Sequence, residues 1–220
     1  MKRAALVLGL ALTACASGPP PPEWAVNARS SSDAAISAYL RGNTKLAEIQ
    51  FRQARDEIAS TGRLDLLARL ELTRCAAQVA SLEFDECPRF KALRVDAPSA
   101  DRAYADYLQA RVDAVDIDLL PPQHRAVARA LTGPGVAPTL DGINDPLARL
   151  VAAGVLLRAS KALSALRYQA SDTASEQGWR RPLLAWLSVQ LRTAQQSGEA
   201  DRAGRLRRRI DALTGELKSQ

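Results

Sequence analysis

Between residues 31 and 217, apolar side chains recur three and four positions apart, and glycines and prolines interrupt that rhythm at intervals. A period near 3.6 residues makes amphipathic helices, each of which must bury one face against another helix. The final run shows the pattern most plainly. Ala203, Leu206, Ile210, Leu213 and Leu217 share one stripe, and Arg202, Arg205 and Arg209 fall away from it. Alanine, leucine and arginine dominate, aromatics are only 5% of residues and β-branched runs are nearly absent, so helix is favoured over sheet. The expected fold class is all-α.

The interruptions delimit the helices. Ser32 and Asp33 suit a helix start near Ser31, with Ile36, Tyr39 and Leu40 as its apolar face and Gly42 placed to end it. A second helix is expected from Thr44 to near Gly62, with Leu46, Ala47, Ile49, Ala54 and Ile58 inward. A third, over residues 63–82, carries Leu64, Leu67, Leu70, Leu72, Cys75, Val79 and Leu82 and should pair back on the first two. Residues 85–98, with Pro88 and Pro98, read as an irregular connection. A helix over 100–115 and one opened by Pro121 and Pro122 complete an N-terminal half, 31–131. Residues 132–144, rich in Gly and Pro, read as a loop before a C-terminal half, 145–217. That half resumes at Pro146, continues from Lys161 and Pro182, and turns at Gly178 and Gly198.

Several of these residues carry a resemblance. Ala38 and Tyr39 on the first helix, Gly42 and Asn43 at the turn, and Ala47, Phe51 and Ala54 on the second resemble a tetratricopeptide repeat. Gly198 followed by Ala203 repeats the spacing of Gly42 and Ala47. The first helix departs from the family pattern at Ser31 and Ala34, and the two glycine turns are not a whole number of repeats of about 34 residues apart. The resemblance implies antiparallel helix hairpins stacked as a degenerate TPR-like α-solenoid.

The start of the chain supplies an address. Lys2 and Arg3 precede an apolar run over residues 4–12, which is too short to span a bilayer and fits the core of a secretory signal. It ends in Leu12-Thr13-Ala14-Cys15, which resembles a bacterial lipoprotein signal. The resemblance implies removal of residues 1–14, with diacylglycerol and an acyl chain such as palmitate on Cys15. Each buried methylene contributes about 0.8 kcal/mol, so several chains anchor a protein firmly. Ala16 follows the cysteine where, by the same resemblance, an aspartate would favour the inner membrane. The expected location is the periplasmic face of the outer membrane. Residues 15–30, with four consecutive prolines from Pro19, read as a lipidated end and stiff spacer.

Chemistry is sparse. His124 is the single histidine, without a nucleophile elbow or a set of metal ligands around it, and reads as a surface or capping residue. Asp113, Asp116 and Asp118 lack the glycine and closing glutamate of a calcium loop. No enzyme, cofactor or metal site is expected. Cys75 and Cys87 are a candidate disulfide in an exported chain, feasible if the third helix stops near Leu82, and otherwise two buried thiols. A net charge of +6, two of which belong to Lys2 and Arg3, makes nucleic acid an improbable periplasmic partner and an acidic protein or anionic lipid surface a suitable one. Trp179, Arg180, Arg181, Arg202, Arg205 and Arg209 are the candidate partner-binding residues, because tryptophan and arginine favour interface centres. The expected function is a membrane-anchored, non-catalytic scaffold or assembly factor that binds another envelope protein. The alternative is a carrier of lipid or a small apolar ligand between its helices.

Overall fold

A computed structural model describes residues 20–111, 116–133, 139–161 and 164–216. Ten α-helices occupy the described residues, with no strand: α1 (Glu23–Leu40), α2 (Thr44–Ala59), α3 (Leu64–Ala80), α4 (Pro88–Lys91), α5 (Ser99–Leu108), α6 (Pro122–Thr132), α7 (Pro146–Arg158), α8 (Ser164–Glu176), α9 (Arg180–Gln196) and α10 (Ala200–Thr214). A short 3-10 helix, Ile117–Leu119, precedes α6. None of these helices is long and apolar enough to cross a membrane.

The all-α expectation holds, and most helices begin and end close to their sequence signals. Glycine turns follow α1, α8 and α9, where Gly42, Gly178 and Gly198 lie at positive φ. At each, the amide after the glycine bonds a carbonyl five residues back, as Asn43 does to Ala38, which closes the helix end. The same cap ends α3, α5 and α7 without glycine, at Leu82, Ala110 and Ser160. A turn can therefore be built where the sequence offers no glycine signal.

Four expectations are corrected. Helix α1 starts at Glu23, directly after Pro22 in an extended conformation, and not near Ser31. A proline immediately before a first turn suits a helix start, and residues 23–30 contain no breaker. Leu46 and Ile49 are exposed, because α2 buries the row Ala47, Phe51, Ala54 and Ile58, and the other two point off that row. The connection after α3 contains the short helix α4, started by Pro88. His124 is 1% exposed, not at the surface. Asp113, the loop residues 134–138 and Leu217 lie outside the described residues.

The packing has a non-local centre. Helix α3 lies against α7, and the excursion between them, carrying α4 to α6, covers one side of that pair. Gly154 permits the crossing: a Cβ there would fall 2.3 Å from the carbonyl oxygen of Val79. One apolar core runs from Leu72 and Val79 through Tyr107 and Leu131 to Leu150, Trp186 and Leu206, spanning both halves of the chain. Trp186 is fully buried, and its indole N–H donates to the Ala80 carbonyl at the end of α3. The α1–α2 hairpin packs on α3, and ion pairs Arg55–Glu71 and Arg74–Glu48 join α2 to α3.

Candidate functional site

The α1–α2 turn, the end of α3 and the start of α9 meet at one junction, and Arg181 holds it closed. Its Nε–H donates to the Tyr39 carbonyl at 2.8 Å, one terminal nitrogen pairs with Glu83 at 2.9 Å, and the other donates to Thr44 Oγ1 at 2.6 Å. The guanidinium also lies 4.2 Å from the centre of the Tyr39 ring. Four contacts from one side chain make Arg181 part of the fold itself. Burial is the main cause that raises the Tyr39 phenol above its usual range, and the Glu83 carboxylate adds to it. Tyr39 therefore stays neutral here.

Beside this junction an open cleft of about 560 Å³ runs between Gly42, Glu83, Arg180, Leu184, Ala185 and Leu213. Its floor is apolar, from α9 and α10, and its rim is charged. Glu83 is neutralised by Arg181, whereas Arg180, the next residue on the rim, is exposed and lies against the Gly42 turn. Among the described residues Arg180 has no ion pair or hydrogen bond. Adjacent arginines thus do different work: Arg181 fastens α9 to α1 and α2, and Arg180 faces solvent. Trp179, half-buried at the α8–α9 corner, packs with Tyr39 and Leu40 in a small apolar cluster. Sequence reasoning grouped these three residues, and the structure brings them together with different exposures.

The arginines of α10 also separate. Arg202 pairs with Glu199 at 2.8 Å and lies 5.0 Å from the Tyr168 ring centre, so it packs against α8. Arg205 and Arg209 are exposed, as are Arg207 and Arg208, and none of the four has an intramolecular partner among the described residues. Arg207 and Arg208 were legible as a charge run but escaped notice because they do not share the Arg202 flank.

Cys75 and Cys87 lie at disulfide-bonding distance, with Cα atoms 5.6 Å apart. The reason is the early stop of α3 at Ala80, which lets the chain turn at Leu82 and return. Asp85 accepts from the Cys87 amide and stands close enough to both sulfurs to complete a three-ligand group. Pairing of the two thiols would occupy the sulfurs that such a group needs. Cys15 lies outside the described residues.

His124 forms the remaining cluster of titratable groups. Its ring lies 5.4 Å from Tyr104 and 5.0 Å from Tyr107, both on α5. Burial lowers its pKa to about 4, against a weaker opposing effect of Asp145. The Nδ1 atom of His124 and the hydroxyl of Tyr107 are buried without hydrogen-bond partners. Among the described residues no nucleophile or acceptor pairs with this imidazole, which packs between α5 and α6.

The chain matches no protein-family model, no curated protein and no solved structure.

Proposed function

We propose that this chain is a lipid-anchored envelope lipoprotein, held through Cys15 at the periplasmic face of the outer membrane, that binds another envelope protein without catalysing a reaction. The observation that carries the reading is a group of exposed arginines on α9 and α10, one of which lines a cleft with apolar residues. Several arginines elsewhere are used within the fold, as Arg55, Arg69, Arg74 and Arg94 are in ion pairs. On α9 and α10, Arg180, Arg205, Arg207, Arg208 and Arg209 have no ion pair or hydrogen bond among the described residues, and Arg180 lines the cleft. Arginine that serves no internal contact, next to an apolar floor, is the composition of a binding surface.

The finer architecture is a degenerate TPR-like solenoid interrupted by one excursion. Helices α4, α5 and α6 form that excursion. With that excursion set aside, the strongest contacts run in chain order through α1, α2, α3, α7, α8, α9 and α10. Stacked neighbours of this kind support the repeat reading. Ala47, Phe51 and Ala54 are buried along one row of α2, which supports the same reading.

Chemical crosslinking in intact cells, followed by purification of the native chain and of Cys15→Ala, tests the reading. One envelope protein should be captured by the native chain, together with labelled palmitate, and both should be lost from the variant. Recovery of a lipid or small apolar molecule in place of a protein would contradict the scaffold and favour a carrier.

A further inference from the structure

Three observations converge at the α9–α10 end. The first is the cleft itself, whose volume of about 560 Å³ suits a few peptide residues and whose floor includes Leu184, Ala185 and Leu213. The second is Arg180 on its rim, exposed and without a counter-charge among the described residues. The third is a matter of register. Arg205, Arg209 and Leu213 stand at i, i+4 and i+8 on α10, and residues four apart lie above one another on a helix. The row of free arginines therefore leads to the residue that lines the cleft. From Leu213 back to Arg205 it covers about 12 Å, the length of about four extended residues. Asp201, one turn before Arg205, ends the positive row.

Resting on the scaffold reading above, we propose that this track binds an extended acidic segment of a partner protein. One apolar side chain of the segment seats against Leu184, Ala185 and Leu213. A carboxylate on one side of it meets Arg180, and carboxylates on the other side meet Arg209 and Arg205. Carboxylate is favoured because guanidinium offers it a planar, two-pronged donor set. A lipid surface fits less well. A helix that lies in a bilayer presents an apolar face to it, and most of the apolar face of α10 is spent on the protein, with Leu206 buried and Ile210 packed on the core, which leaves only part of Leu213 in the cleft.

The test is fluorescence anisotropy with the full-length chain and a labelled peptide, Glu-Glu-Leu-Ala-Glu-Ala-Asp-Glu, alongside its Gln/Asn counterpart. The acidic peptide should bind and the neutral one should not. Arg180→Glu combined with Arg209→Glu should weaken binding about tenfold or more, a loss of about 1.4 kcal/mol or more. Arg52→Glu combined with Arg89→Glu changes charge by the same amount at exposed arginines on α2 and α4, outside the cleft lining and α10, and should leave affinity unchanged. Thermal melts of each variant establish that it is folded. Equal weakening by both pairs of substitutions, or no binding of the acidic peptide, would overturn the proposal. So would release of phosphatidylglycerol vesicles, and not of peptide, by the track variant. In cells, undiminished capture of the partner by the Arg180→Glu/Arg209→Glu chain would overturn this site and leave the scaffold standing. Failure of the native chain to capture any protein would instead remove the scaffold.

Discussion

Ser160 closes α7 at φ 56°, a left-handed conformation that costs an L-residue about 1 kcal/mol and glycine almost nothing. The side chain is exposed, so nothing is lost by removing it. Ser160→Gly should therefore stabilise the chain by about 1 kcal/mol, read as a higher denaturant midpoint with unchanged slope. His124 makes a second residue-scale case. Its folded pKa of about 4 lies below the ordinary histidine value of 6.5, so the unfolded chain binds the proton more tightly between those values. This contribution is complete above pH 6.5 and is lost as pH falls towards 4, by about 3 kcal/mol in all. Denaturation of native protein and His124→Phe across pH 7 to 4 should show the native curve falling more steeply. Parallel curves would contradict the burial argument. Sequence hid this residue because Pro121 and Pro122 mark a helix start without saying which way its third residue faces. Leu46 and Ile49 failed similarly: their hydrophobicity suggested burial, but the row set by Phe51 and the small Ala47 and Ala54 decided the face.

At the scale of elements, α3 and α7 depend on one missing methyl group. Gly154→Ala would place a carbon against the Val79 carbonyl, backbone that cannot move aside without separating the helices. The substitution should cost about 3 kcal/mol in urea denaturation. A glycine within the apolar run of α7 was a legible signal, since it weakens a helix unless another backbone comes close. The pairing of α3 with α7 was not legible, because no local pattern names a partner so distant along the chain. The turn after α3 was legible in part: its consequence for Cys75 and Cys87 followed from where the helix stops, and Leu82 stops it without a glycine. A bridge between those cysteines closes a short loop, and reduction should lower stability by about 2–3 kcal/mol. A double Cys75→Ser, Cys87→Ser variant should show no further change on adding reductant.

Over the whole molecule, sequence periodicity was enough for the all-helical class and for many boundaries, because helix caps and apolar rows are local, but not for the start of α1, for the short α4 or for the end of α5, which stops at Leu108 and not near residue 115. The candidate site was legible as a list of tryptophan and arginine residues. It was not legible as a surface, because exposure depends on which arginine finds Glu83 or Glu199 first. Arg180 and Arg181 are neighbours in sequence, yet one braces three helices and the other faces a cleft. The scaffold reading depends on that difference. The most direct measurement places a photocrosslinking amino acid at Thr214, exposed on the cleft rim, or at Arg89, exposed on α4, in the full-length chain in living cells. A protein-binding cleft should yield one discrete adduct of higher mass from position 214 and none from position 89. The same adducts from both positions, or none from position 214, would contradict it.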